Sequence, residues 1–168
     1  MRKGINIFYI FLCFLFVACG QREGQWDRKF DKCKKQIDKK FPSVEIPFPE
    51  NYDSLCMQET ANNISFPRVK PSYAVLHFDK FYKSDIRLTF EQMNDIILIL
   101  NDTANYRWGE LGTPYFDRVI TFHDNEGNCI GITYFDFDGQ TYSYPFNAKM
   151  KWGGMKNDKL FKLVRKIE

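Results

Sequence analysis

Residues 117–145 have the sequence DRVITFHDNEGNCIGITYFDFDGQTYSYP, and this segment constrains the fold more than any other part of the chain. It contains the stretches DNEG and DFDG, each of which begins with Asp and ends with Gly. That composition is typical of a type I turn followed by a glycine in the left-handed conformation. The segment therefore predicts a meander of three antiparallel strands, in which Asp124 pairs with Asn128 and Asp136 pairs with Gln140.

Successive side chains of a strand point to opposite faces of a sheet, so the predicted register sorts the meander into two faces. The apolar face, expected to lie against the core, collects Ile120, Phe122, Ile130, Ile132, Tyr134, Tyr142 and Tyr144. The other face is mostly small or polar and collects Val119, Thr121, His123, Cys129, Gly131, Thr133, Phe135, Thr141 and Ser143. On that second face His123 is predicted to stand opposite Cys129, with Cβ atoms about 4.5–5.5 Å apart.

A thiol beside an imidazole is the arrangement of an activated nucleophile, and it is also half of a metal site. The sequence places no third residue to orient His123, and it places no acid or nucleophile beside His77. The histidines and cysteines also lack the spacing of a zinc site. We therefore predict no catalytic residue, no metal and no cofactor, and we keep the pair of His123 and Cys129 as the alternative of a hydrolase-type enzyme.

Three amphipathic segments predict helices, at about residues 27–40, 90–100 and 157–167. The start of the second helix is the most clearly specified, because Thr89 and Gln92 have the spacing of a capping box. The predicted fold class is α+β, with an antiparallel sheet built on the meander and the three helices packed on one face of that sheet.

The chain begins MRKGINIFYIFLCFLFVAC, in which two basic residues precede an apolar run too short to span a bilayer. This pattern is typical of a secretory signal peptide. The last four residues, FVAC, resemble the lipobox of bacterial lipoproteins, with Phe16 in place of the usual leucine. The resemblance implies cleavage before Cys19 and acylation of its thiol. The predicted organisation is a signal peptide at 1–18, the lipidated cysteine and a tether at 19–26, and a single α+β domain at 27–168. The alternative is an ordinary signal or uncleaved anchor.

A lipid on Cys19 implies that the protein is held at the cell membrane or the outer membrane, facing the periplasm or the cell exterior. Basic residues concentrate in the ranges 27–40 and 149–168. They are either the solvated faces of helices or a means of attraction to an anionic membrane surface. An exported lipoprotein rarely meets nucleic acid, so we expect no nucleic-acid partner.

Without the signal peptide and the lipidated Cys19, the chain keeps three cysteines, Cys33, Cys56 and Cys129. An odd number in an oxidising compartment predicts one disulfide and one free thiol. We predict that Cys33 pairs with Cys56, because these two are nearest along the chain.

The connection NDTANYRWGELGTPYF, between the capped helix and the meander, is long for a compact domain. It contains Tyr106, Arg107, Trp108 and Tyr115, which are residue types enriched at protein-interaction hot spots. We predict that these four residues contact a partner. The alternative is that Trp108 folds back over an end of the core.

The segment from LTFEQMNDIILILNDTANYRWGE through the meander is similar to a pattern in small uncharacterised lipoproteins of Bacteroidetes-type bacteria. That resemblance implies a location and a fold but no activity. We therefore expect a lipid-anchored cell-envelope protein with a non-catalytic binding role and a protein partner in the envelope. The alternatives are a periplasmic immunity or inhibitor protein and the hydrolase-type enzyme described above.

Overall fold

The computed structural model describes most of the chain beyond the N-terminal region, namely residues 23–41, 47–80, 82–108, 116–136, 139–156 and 158–168. The chain divides into two compact units, Met1–Lys32 and Cys33–Glu168. In the first unit the described stretch is helical from Glu23. The predicted signal peptide and Cys19 lie outside the described residues.

The helices are α1 (Glu23–Lys40), α2 (Tyr52–Ala61), α3 (Phe90–Asn101) and α4 (Lys159–Ile167). The strands are β1 (Tyr73–Phe78), β2 (Ile86–Arg87), β3 (Tyr106–Arg107), β4 (Arg118–His123), β5 (Cys129–Phe135), β6 (Thr141–Tyr144) and β7 (Gly154–Met155). Each of the three predicted helices is present, and α3 begins at the predicted capping box. The amide of Gln92 donates to Thr89 Oγ1 over 3.2 Å, and the amide of Thr89 donates to Gln92 Oε1 over 2.8 Å.

The main sheet has five antiparallel strands in the order β2-β1-β4-β5-β6, and β3 pairs with β7 in a small second sheet. The predicted α+β class and the three-stranded meander are therefore confirmed. The second turn of the meander closes as predicted, because the amide of Asp136 donates to the carbonyl of Gln140 over 3.1 Å. The first turn also closes as predicted, with a bond of 3.0 Å from the amide of Asp124 to the carbonyl of Asn128.

The pairing predicted between β4 and β5 is wrong by one residue beyond that first turn. His123 pairs with Cys129 as predicted, but Phe122 pairs with Gly131, so Ile130 is an extra residue that forms a β-bulge. A bulge shifts every later pair by one position, which moves the residues of one strand to the other face relative to its partner. Ile120 therefore pairs with Thr133 instead of Ile132.

The bulge divides the predicted apolar face between the two sides of the sheet. Ile120 and Phe122 lie on the inner face, which we define as the face that carries Leu76 and belongs to the main hydrophobic core. Tyr134 and Tyr142 lie on the opposite face, here called the outer face, where Tyr142 is 44% exposed.

The helices contact both faces of the sheet. The buried side chains of α3 and α4 pack in the inner-face core, and they are Met93, Ile96, Leu100, Leu160, Phe161 and Val164. From Cys33 onward α1 contacts the outer face instead. The ammonium of Lys34 lies 5.4 Å from the centre of the Tyr134 ring, and the hydroxyl of Tyr144 donates to Asp38. The arrangement thus differs from the predicted packing of all three helices on one face.

Candidate functional site

The structure pairs Cys33 of α1 with Cys129 of β5 in a disulfide, with 5.1 Å between their Cα atoms. Cys56 is a free thiol in α2. The predicted pairing of Cys33 with Cys56 is therefore wrong. Proximity along the chain was a poor guide, because the part of α1 from Cys33 onward lies on the outer face, where Cys129 lies. Beside the disulfide, the amide of Cys129 donates to Gln36 Oε1 over 3.1 Å.

The disulfide also removes the alternative of a catalytic pair. His123 does stand opposite Cys129, as predicted. However, the sulfur of Cys129 is bonded to Cys33 and the residue is only 2% exposed. A nucleophilic thiolate therefore does not exist at this position. In the part of the chain that the structure describes, no group of three or more His, Cys, Asp and Glu residues is placed to hold a metal ion.

Trp108 lies at the centre of a group of four aromatic side chains, here called the aromatic cluster, formed by Phe48, Tyr52, Trp108 and Trp152. The Trp108 ring centre is 5.3 Å from that of Tyr52 and 5.2 Å from that of Trp152. Phe48 extends the cluster with a distance of 6.3 Å to Trp152. All three contacts are edge-to-face, an arrangement that aromatic pairs prefer.

Three separate segments bring these rings together. The approach to α2 supplies Phe48 and Tyr52, the end of β3 supplies Trp108, and the turn before β7 supplies Trp152. The indole of Trp152 donates to the carbonyl of Pro47 over 2.9 Å, which fixes its ring. Phe48 is 52% exposed and the other three rings are partly buried. The aromatic cluster therefore combines fixed geometry with access from solvent.

Lys151 adds a positive charge to the aromatic cluster. Its ammonium lies 5.4 Å from the Tyr52 ring centre and 5.9 Å from the Trp108 ring centre, and it donates to the carbonyl of Tyr106 over 3.2 Å. These distances suit a cation–π interaction. Among the described residues no carboxylate pairs with this ammonium. Burial is the main reason that the pKa of Tyr52 is raised, so its ring stays neutral beneath the cation.

The backbone at Lys151 is in a conformation that lysine rarely adopts. Its φ is 51° and its ψ is −127°. The amide of Gly153 donates to the carbonyl of Met150 over 2.9 Å, which closes a tight turn around Lys151 and Trp152. The angles are those of the first central residue of a type II′ turn, where glycine is the usual residue. Backbone strain of this kind concentrates at functional sites.

The other three residues predicted to contact a partner do not share the position of Trp108. Tyr106 is fully buried in the core, and its hydroxyl donates to the carbonyl of Leu100 over 2.9 Å. Its prediction as a partner contact is therefore wrong, since a side chain inside the core cannot reach a partner. Arg107 is exposed on β3, where it pairs with Gly154. Tyr115 lies outside the described residues.

A second polar group of residues occupies the outer face of β1 and β4. His77 Nε2 and His123 Nε2 lie 2.9 Å and 3.0 Å from the same atom, Thr121 Oγ1. His77 Nδ1 lies 2.7 Å from Asp85 Oδ2, and His123 Nδ1 lies 3.4 Å from the carbonyl of Gly127. Thr121 is only 3% exposed. We call His77, Thr121, His123 and Asp85 the histidine network.

Sequence reasoning found neither the network nor the role of Lys151. β1 and β2 pair with Leu76 opposite Ile86, and the sequence alone does not indicate this pairing. The pairing brings Asp85 beside His77, because residues next to a paired position stand close to each other.

No protein-family model, curated protein or solved structure matches this chain. None of the helices that the structure describes is long and apolar enough to cross a membrane.

Proposed function

We propose that this protein is a lipid-anchored cell-envelope protein that binds a protein partner through its aromatic cluster. The N-terminal sequence supports the anchor, because a basic start, a short apolar run and a terminal FVAC are the features of a lipoprotein signal. In this proposal acylated Cys19 holds the chain at the cell membrane or the outer membrane, and the protein faces the periplasm or the cell exterior.

The aromatic cluster with Lys151 is the observation that carries the binding role. Trp and Tyr are enriched at the centres of interfaces, because they contribute a large contact area with few rotatable bonds. The rings of Trp108 and Trp152 are already held by their neighbours, so little conformational entropy is lost when a partner binds. The ammonium of Lys151 adds an electrostatic preference for a partner segment that carries a carboxylate next to an apolar side chain.

The strained turn at Lys151 supports a functional role over a purely structural one. Glycine at this position would adopt the same backbone conformation without the steric cost that a Cβ imposes. Lysine therefore weakens the fold slightly but places its ammonium over the aromatic cluster. A residue that costs stability and adds a partly exposed charge to an aromatic surface is typical of a binding site.

We predict that Lys151→Gly separates binding from stability. Relief of backbone strain should offset the lost contacts of the ammonium, so the free energy of unfolding stays unchanged or rises by about 1 kcal/mol. Partner capture should fall about tenfold, the effect of losing roughly 1.4 kcal/mol of binding. Capture is measured with a photo-cross-linking residue in place of Phe48, in cells that produce the full chain, and stability by denaturant unfolding.

Two further variants give this experiment its controls. Trp108→Ala should abolish the same cross-linked product, because it removes the central ring of the aromatic cluster. Met57→Ala should leave the product intact, since Met57 is 73% exposed and takes part in none of the contacts described for the aromatic cluster. Equal capture by the wild type and by Lys151→Gly would contradict the proposed surface, as would equal loss in Met57→Ala.

A further inference from the structure

A cavity of about 390 Å³ lies on the outer face, between the end of α1 and the start of β5. We call it the lysine cavity. Gln36, Lys39 and Lys40 line it from α1, and Asn128 and Cys129 line it from the sheet side. The three helix residues have the spacing i, i+3 and i+4, which places them on one side of α1. A volume of this size is typical of a small-molecule site.

Contacts between the two walls hold the lysine cavity in shape. Cys129 is bonded to Cys33, and its amide donates to Gln36 Oε1 over 3.1 Å. The ammonium of Lys40 donates to Asp124 Oδ2 over 3.1 Å. These groups are positioned before any ligand arrives, so a ligand that binds here orders few side chains.

The polar groups that stay available in the lysine cavity are mostly hydrogen-bond donors. Gln36 uses its Oε1 for the amide of Cys129, which leaves both protons of its Nε2. Lys40 gives one of its three ammonium protons to Asp124 and keeps two. Within the part of the chain that the structure describes, the ammonium of Lys39 forms no hydrogen bond or ion pair.

The charge of the lysine cavity favours an anion. None of its described lining residues is acidic. The carboxylates beside it are already engaged, because Asp124 Oδ2 accepts from Lys40 and Glu126 Oε2 accepts from Asn128 Nδ2 over 3.2 Å. A cleft lined by charges of one sign raises the local concentration of ions of the opposite sign.

We propose that the lysine cavity binds a terminal phosphate group, present as free phosphate, as a small soluble ester or on a lipid headgroup. A terminal phosphate has three acceptor oxygens and a charge of about −1.5 to −2 at pH 7. Those three oxygens match the three side chains that supply donors, Gln36, Lys39 and Lys40, whereas a carboxylate has two oxygens and a single charge. This inference goes beyond the proposed function, and it depends neither on the lipid anchor nor on the aromatic cluster.

The remaining polar atom favours an ester that also carries a hydroxyl group. Asn128 Nδ2 donates to Asp124 Oδ2 over 3.3 Å and to Glu126 Oε2 over 3.2 Å. These two contacts fix the orientation of the Asn128 amide and leave its Oδ1 as an acceptor. A hydroxyl group next to the phosphate can donate to this oxygen.

Titration with inorganic phosphate at pH 7 and constant ionic strength tests the site. The full chain is solubilised in an uncharged detergent, and NMR follows the side-chain amide signals of its glutamines. We expect a saturable shift of the Gln36 signals and none of the signals of Gln58, which is exposed on α2. Acetate should bind about tenfold more weakly. No saturable shift at Gln36, or equal affinity for acetate, would overturn the proposal.

Two variants test the side chains that supply the donors. Lys39→Gln should raise the Kd for phosphate by about fivefold, the upper range for one exposed ion pair. Gln36→Glu keeps an acceptor for the amide of Cys129 but places a carboxylate in the lysine cavity, so saturable binding should be lost.

Matched controls make the same charge changes elsewhere. Lys166→Gln changes an exposed lysine in the last turn of α4, and Gln58→Glu changes an exposed glutamine of α2. Neither should alter the Kd by more than about twofold. The proposal fails if the controls weaken phosphate binding as much as Lys39→Gln and Gln36→Glu do.

A comparison of two phosphate esters distinguishes the sources of the ligand. Glycerol 3-phosphate represents a soluble ester, and nanodiscs of phosphatidylcholine with or without phosphatidic acid represent a headgroup. A shift of the Gln36 signals by glycerol 3-phosphate alone assigns the site to soluble esters. A shift only in nanodiscs with phosphatidic acid, lost in Lys39→Gln, assigns it to a lipid. No shift with either ester would overturn the proposal.

Discussion

Replacing Cys33 and Cys129 together with serine is expected to lower the free energy of unfolding by about 4–5 kcal/mol. The disulfide closes a loop with a sequence separation of 96, and cross-links across long loops restrict the unfolded chain most strongly. It also holds the part of α1 from Cys33 onward on the outer face, where Gln36 contacts Cys129. Denaturant unfolding of the full chain measures the loss, and replacing both cysteines avoids leaving a reactive thiol.

The matched control is Cys56→Ser. Cys56 is a free thiol whose pKa is raised mainly by burial, so it is protonated and unreactive at neutral pH. Its replacement should change the free energy of unfolding by less than about 1 kcal/mol. Peptide mapping that finds Cys33 linked to Cys56, or an equal loss of stability in Cys56→Ser, would contradict the observed pairing.

Gly153→Ala is expected to lower the free energy of unfolding by about 3–4 kcal/mol, the sum of backbone strain and overpacking. Gly153 has a φ of +79°, and a Cβ there would lie 1.8 Å from the carbonyl oxygen of Thr141. The backbones approach this closely because the amide of Thr141 donates to the carbonyl of Gly153 over 2.9 Å. The strand and the turn would have to separate, and the adjacent Trp152 would move with the turn. Thermal or denaturant unfolding measures the effect.

Gly127→Ala isolates the conformational part of that loss. Its φ of +80° is nearly the same, but the nearest atom to an added Cβ is the Tyr73 hydroxyl at 3.7 Å, an ordinary contact. We expect a loss of about 1–2 kcal/mol from the left-handed conformation alone. Equal losses in the two variants would show that the close approach to Thr141 does not constrain the fold.

Features of the fold that depend on local chemistry could be predicted from the sequence. The capping box at Thr89, the turn at Asp136 and the amphipathic segments of α1, α3 and α4 are each specified by residues a few positions apart. The α+β class follows from them, because a meander needs helices to cover its apolar side chains.

Features that depend on contacts between distant segments could not be predicted in the same way. The bulge at Ile130 leaves no mark in the alternation of β5, which is buried along its whole length. Without that mark, the turn is the only guide that the sequence offers to the register of β4 against β5. The predicted disulfide pairing is wrong for a related reason. Cys33 meets Cys129 only because the part of α1 from Cys33 onward lies on the outer face.

The candidate site was predicted in part. Trp108 was recognised by residue type, and the structure gives it a half-buried position between Tyr52 and Trp152. The ring covers neighbouring side chains and is also partly exposed, so its contact with a partner stays a prediction. Lys151 could not be recognised, since its importance comes from a backbone conformation that lysine rarely adopts. Tyr106 was misassigned because composition cannot tell a buried tyrosine from an exposed one.

We propose that a lipid on Cys19 anchors the protein in the envelope. Mass spectrometry of the N-terminal peptide from the membrane fraction, compared with a Cys19→Ala variant, tests it most directly. We predict a mature chain that begins at Cys19 and carries acyl groups, and a variant that is neither acylated nor held in the membrane fraction. An unmodified Cys19 in the mature wild-type chain, or unchanged membrane fractionation of Cys19→Ala, would contradict the claim.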